Sequence, residues 1–348
     1  MRHASARAPL WILLLAAPVL LGSTPPGATI PTAPIVPAPP TDGIADPATT
    51  TSEVTPFIQP FDLDATRRMA VNVMVGGQGP FSFLVDTGAE RTVIAKELAE
   101  RLGLLPGATL RLATIGGSAT AQSYRVAALQ MTDLHMSGFE APAFAGRHIG
   151  AAGLIGVDML EDRRVLIDFR KESMAILETR RRARPIIRDD DAIVVTARNQ
   201  AGRLILADAR LDGHRVDVIV DTGAQTSVGN LAFQRLVANR KQNRLPFLPV
   251  TLNAVTGEPV AAMRTIVRRI SINGMEVNDL PVSFADSQAF RALDLAERPA
   301  LLLGMDSLSL FDRVEIDFPN KRVVFDLPER ASRDPALRYA AAGIAAGS

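Results

Sequence analysis

Two aspartates stand out because each ends an apolar run and is followed by the same three residues. Asp86 lies in Phe83-Leu-Val-Asp-Thr-Gly-Ala89 and Asp221 in Val218-Ile-Val-Asp-Thr-Gly-Ala224. An isolated carboxylate at a strand end is only an acid, and the plain alternative is a tight turn whose Asp side chain accepts backbone N–H groups. Two carboxylates brought together across an interface behave differently. Like charges in close contact cannot both ionise, so one proton is shared. The ionised member can then take a proton from water while the protonated one polarises a carbonyl. Such chemistry suits a chain with no Cys and no convincing Ser–His pair. By chance one Asp-Thr-Gly turns up in about one of every ten chains of this size. Two of them, each after an apolar strand and each before Ala, need a common explanation.

That explanation is a duplication. Gly153-Leu-Ile-Gly156-Val-Asp158-Met-Leu recurs as Leu301-Leu-Leu-Gly304-Met-Asp306-Ser-Leu, and Val165-Leu-Ile-Asp168-Phe169 recurs as Val314-Glu-Ile-Asp317-Phe318. The aspartates are 135 residues apart and the later landmarks 148 and 149 apart, so the second copy holds extra residues, placed near 238–246 and 286–298. Each copy reads mostly as strands. Ala70–Val75 and Phe81–Val85 flank the turn Gly76-Gly-Gln-Gly-Pro80; Leu204–Leu211 and Arg215–Val220 flank Asp212-Gly213. A helical pattern follows each Asp-Thr-Gly, at Ile94–Leu102 and at Leu231–Val237. Each copy ends in a hairpin, Val165–Phe169 with Met174–Leu177 and Val314–Phe318 with Arg322–Phe325. The domains are therefore drawn at 56–178 and 191–328. A charged, solvated linker at 179–190 separates them, and a tail occupies 329–348.

On these residues the chain resembles the retropepsin-like aspartic proteases. Their hallmark is an apolar strand, Asp-Thr-Gly-Ala, then a downstream apolar-apolar-Gly and a helix. Leu154-Ile155-Gly156 and Leu302-Leu303-Gly304 supply the second part. The resemblance covers roughly 57–325 and looks most like the exported bacterial branch, with two units on one chain. It implies a mostly β fold: two tandem retropepsin-like (acid protease) β-barrel lobes with short helices, forming a bilobal pseudo-dimer within a monomer. It implies Asp86 and Asp221 as the catalytic pair. Thr87 and Thr222 are expected to hydrogen-bond across the interface and orient the carboxylates, while Gly88 and Gly223 let the backbones approach. It places substrate-covering flaps at Ile115, Gly116 and Gly117, and at Val255, Thr256 and Gly257. Glycine there is also what any exposed turn uses, and neither segment has the Tyr of pepsin-type flaps. The family needs no cofactor and no metal, and it takes extended peptide or protein substrates. Asp158 and Asp306 are expected to cap the short helices that follow the apolar-apolar-Gly motifs, and Asp168 and Asp317 to be structural.

The rest of the chain bounds where this happens. The 348 residues, 47% hydrophobic, suffice for two cores. A formal charge of +1 gives no electrostatic case for nucleic acid. Arg2 and Arg7 precede the apolar run Leu10–Leu21, the layout of a secretory signal at 1–23. As a helix that core would be about 20 Å long, short of a ~30 Å bilayer interior. A cleaved signal is favoured over a retained N-terminal anchor, and the location is periplasmic or secreted. Residues 24–55, rich in Pro, read as a disordered linker. Gly76-Gly-Gln-Gly-Pro80 joins two strands with no helix after it and is no nucleotide loop; His135, His148 and His214 have no ligand spacing. The competing function is a peptide-binding module on the same duplicated fold that does not cleave.

Overall fold

The computed structural model describes residues 68–328 apart from 132–133, 188–191, 201, 207 and 241–244, with backbone fragments at 10–11, 15–16, 59–60 and 62–63 before them. The signal, the Pro-rich linker and the tail lie outside the residues described with side chains. The first lobe runs β1 Met69–Val75, β2 Gln78–Val85, β3 Val93–Ala95, α1 Lys96–Arg101, β4 Pro106–Thr114, β5 Gly117–Met131 and β6 Leu134–Phe144. It closes with α2 Gly146–Ile149, β7 Gly153–Ile155, α3 Val157–Leu160, β8 Arg163–Asp168 and β9 Ser173–Glu178. The second lobe begins β10 Ile193–Gln200, β11 Arg203–Leu206, β12 Ala209–Leu211, β13 His214–Arg215, β14 Asp217–Val220, β15 Val228–Gly229 and α4 Leu231–Ala238. It continues β16 Leu248–Ala254, β17 Pro259–Ile272, β18 Met275–Phe284, α5 Gln288–Ala292, β19 Ala300–Leu303, α6 Met305–Leu308, β20 Arg313–Asp317 and β21 Arg322–Asp326. The molecule is a mostly-strand, duplicated, two-lobed structure.

Period-two burial builds the outer strands: Met69, Val71, Val73 and Val75 of β1 all face inward. Strands buried on both faces instead read as continuous apolar runs. Those runs are the ones that carry the aspartates. β7 pairs in parallel with β2, Ile155 opposite Val85, and antiparallel with β3. The second lobe repeats this, with β19 parallel to β14 and antiparallel to β15. Each aspartate thus follows a buried strand end, Phe83–Val85 or Val218–Val220, wedged beside the apolar-apolar-Gly strand.

The lobes are joined by one sheet. β8 pairs antiparallel with β20, Val165 opposite Ile316 and Ile167 opposite Val314, with Leu166 and Glu315 between. In the repeat Val165 corresponds to Val314 and Ile167 to Ile316, so the pairing is the same read from either side. That is a local two-fold axis, an isologous interface inside one chain. The segment expected as a solvated linker keeps Arg180, Arg181, Arg182 and Arg184 exposed, while its end is tied to this sheet. Ile186 and Ile187 donate their N–H groups to Glu315 Oε2, Arg322 donates to Ala183 O, and Ile187 is buried. Glu315 and Asp317, fully buried, need cations there, and Arg164 and Arg322 supply them.

Two further boundaries differ from expectation. The helical pattern from Ile94 begins only at Lys96, because Val93 and Ile94 are taken by strand pairing with Leu154 and Gly153. The strand expected over Leu204–Leu211 is divided in two; after β11 pairs with β14, β12 turns to pair with Ser271–Ile272 of β17.

Candidate active site

Phe83, Leu84 and Val85 are fully buried, and the strand they form delivers Asp86 to the centre of the molecule. Asp86 N–H donates to Ile155 O at 2.9 Å and Asp221 N–H to Leu303 O at 3.0 Å, so the neighbouring strand of each lobe fixes its loop. Asp86 Oδ1 accepts from Gly88 N and Ala89 N at 2.8 and 2.9 Å. Asp221 Oδ1 accepts from Gly223 N and Ala224 N, both at 3.0 Å. The turn role and the paired-carboxylate role therefore coexist on different oxygens. The Oδ2 atoms accept from no backbone group, and the two carboxyls are close enough to hydrogen-bond each other.

The threonines bring the two loops together. Thr87 N–H donates to Thr222 Oγ1 at 3.1 Å, and Thr222 N–H donates to Thr87 Oγ1 at 3.1 Å. Each hydroxyl in turn donates to the carbonyl that precedes the opposite aspartate, Thr87 to Val220 O at 2.9 Å and Thr222 to Val85 O at 2.8 Å. Four reciprocal hydrogen bonds, all buried, cross the interface. At Gly88 a Cβ would meet the Asp221 carboxylate at 2.5 Å, and at Gly223 it would collide with that of Asp86. Each glycine is the wall against which the opposite carboxylate rests.

Burial raises the Asp86 pKa well above its usual value and the Asp221 charge adds to the rise; its two backbone donors and Arg203 oppose it. Burial likewise raises Asp221 to about 6, against its backbone donors, Arg203 and the bond from Asp86. Two carboxyls with raised, linked titrations form a pair that ionises one member as the pH passes about 6 and keeps the other protonated.

The flap segments are hairpin tips, Ile115–Gly116 between β4 and β5 and Val255–Glu258 between β16 and β17. Ile115 is buried in a cluster with Ala224, Ala254 and Phe290 of the second lobe. Beside it, Gly116 lies against Ala254 and Val260, and Gly117 opens β5 with φ +136°. Val255 is buried and Thr256 half-buried. Gly257, at φ +85°, lies against the His148 ring of the first lobe, where a Cβ would collide with it. Each tip crosses to the opposite lobe.

A family model described as aspartyl protease matches the chain twice, over residues 71–159 and over 207–307. The chain belongs to the aspartyl protease family. Each match holds one Asp-Thr-Gly and one apolar-apolar-Gly, so the family's unit is present in both lobes. No curated protein matches it.

Within this aspartyl protease fold, Asp158 and Asp306 do something other than cap helices. Gly156 and Gly304 occupy the cap positions without a side-chain bond. Asp158 instead accepts from Thr92 N and Thr92 Oγ1 at 2.9 and 2.7 Å, and Asp306 from Ser227 N and Ser227 Oγ at 3.0 and 2.8 Å. Thr92 and Ser227 are equivalent, 135 residues apart, and each hydroxyl also accepts from the following motif's Gly N–H. These carboxylates tie the far end of each Asp-Thr-Gly loop to its apolar-apolar-Gly partner. Burial raises both pKa values and the Thr92 and Ser227 donors oppose it. Asp168 accepts from Lys171 N within its hairpin, and Asp317 belongs to the buried ion cluster of the joining sheet. Sequence reasoning missed Arg68 and Arg203, both almost fully buried. Their spacing of 135 residues, the same as that of the aspartates, was the available signal. Among the described residues no group of three or more His, Cys, Asp or Glu is arranged to hold a metal ion.

Proposed function

We propose that the chain is an exported aspartic endopeptidase that hydrolyses peptide bonds of envelope or extracellular proteins. The observation that carries this reading is the reciprocal threonine exchange, which holds two buried carboxyls side by side. In the reaction the ionised carboxylate removes a proton from water as that water attacks the scissile carbonyl. The protonated partner donates to the carbonyl oxygen, and the nitrogen leaves after accepting a proton. Asp86 and Asp221 are the catalytic residues. Thr87, Thr222, Gly88 and Gly223 fix their geometry. The two hairpin tips cover an extended peptide, pairing with its backbone as strands do. The apolar N-terminal run supports export, with the working part held in the periplasm or secreted as a monomer.

The test is incubation of residues 56–328, as wild type, Asp86→Asn and Asp221→Asn, with a denatured protein mixture between pH 4 and 8, reading new peptide termini by mass spectrometry. Cleavage by wild type and by neither variant is expected. Equal peptide retention by all three, with no new termini, would leave a binding module instead.

A further inference from the structure

Arg203 opens β11 and is fully buried, an uncommon place for a guanidinium unless its charge is met. Its Nε donates to Gly88 O at 2.7 Å, across the lobe interface. That carbonyl belongs to the peptide unit whose other end is the Ala89 N–H, and the Ala89 N–H donates to Asp86 Oδ1 at 2.9 Å. A cation on the carbonyl polarises the peptide and strengthens its N–H as a donor. Guanidinium, peptide and carboxylate therefore form one chain of contacts from the second lobe to the first aspartate. Arg203's charge favours the ionised forms of both Asp86 and Asp221, and is met in turn by Glu90, Asp86 and Asp221. Glu90 is half-buried and follows Ala89 directly; its equivalent 135 residues on is the neutral Gln225.

The need for a cation follows from the dyad itself. Mutual repulsion keeps the pair from losing both protons, but burial favours protons on both carboxyls, and a doubly protonated pair has no base with which to activate water. We propose that Arg203 is a positioning residue of the dyad: acting through the Gly88–Ala89 peptide, and moderated by Glu90, it holds the pair in the singly protonated state. This rests on the endopeptidase reading above for its consequence in catalysis, though not for its effect on the carboxyls.

The experiment compares wild type with Arg203→Met, Arg203→Lys and Glu90→Gln in two readouts. One is the pH profile of kcat/KM on a peptide; the other is the titration of 13C-labelled aspartate carboxyls by NMR. Arg203→Met should move the acidic limb and the dyad titration up by about one pH unit. Glu90→Gln, which leaves the cation less compensated, should move both down. Arg203→Lys keeps the charge and should leave both near wild type. Activity falling equally at every pH, with neither limb nor titration displaced, would overturn the proposal. If Arg203→Met does not fold, an unmoved or upward-moved titration in Glu90→Gln overturns it alone. A wild type that cleaves no peptide defeats the endopeptidase reading, whereas the carboxyl titrations still decide the role of Arg203.

Discussion

Replacing Asp221 with Asn should stabilise the protein at neutral pH and do little at pH 4. Asp221 is almost fully buried, and burial raises its pKa from 3.8 to about 6. A carboxyl whose pKa is raised on folding holds its proton more tightly in the native state than in the unfolded chain. Its favourable contribution is therefore full below about pH 4 and is lost as the pH climbs through about 6. Above that range folding carries the cost of a buried ionisation. A rise of about two units corresponds to roughly 3 kcal/mol at about 1.4 kcal/mol per unit. The asparagine amide has nearly the same shape and its Oδ1 can still accept from Gly223 N and Ala224 N. It also frees Asp86 from a like-charged neighbour. Thermal unfolding of both proteins from pH 4 to 8 reads the effect. The Tm gain at pH 7.5 should be on the order of 4–6 °C for a chain of this size, shrinking toward zero at pH 4. A gain independent of pH, or a loss at neutral pH, would refute the linkage argument.

Other perturbations test the parts around the dyad. Thr87→Ala and Thr222→Ala each remove a hydroxyl that both donates and accepts across the interface, and each should cost about 1–3 kcal/mol. Each hydroxyl makes two of the four bonds, and the two hydroxyls lie 3.5 Å apart on loops that brace one another, so a double-mutant cycle by urea unfolding should show a measurable coupling. Gly257→Val forces a β-branched residue to φ +85° against His148, so steady-state kinetics should show a raised KM with the folded fraction unchanged by circular dichroism. Arg164→Met strips a cation from the fully buried Glu315 and Asp317 and should cost about 3–5 kcal/mol; a cost near zero in chemical denaturation would mean Arg322 suffices.

What was legible in the sequence was what repeats. Asp86 and Asp221 announce themselves because their neighbours recur in the same order, and the hairpins follow from alternating burial and turn residues. The Thr92–Asp158 and Ser227–Asp306 clamps were not legible, since their partners lie 66 and 79 residues apart and only the parallel strand pairing brings them together. An Asp just inside a short helix reads locally as a cap, and the tertiary bond overrides that preference. Arg203 escaped notice because an arginine at a strand start is ordinarily solvated; only the lobe interface buries it. The charge run at 179–190 read as solvated, and Arg180, Arg181, Arg182 and Arg184 are exposed. The capture of the Ile186 and Ile187 N–H groups by Glu315, from the other lobe's last hairpin, was not legible.

The central claim is that one aspartate from each lobe is needed and neither suffices. The most direct measurement is kcat/KM for a peptide that wild type cleaves, determined for Asp86→Asn and Asp221→Asn separately, with peptide affinity measured alongside. The account predicts that either substitution lowers kcat/KM by at least about a thousandfold while the affinity changes little. Turnover near wild type in either single variant would contradict it.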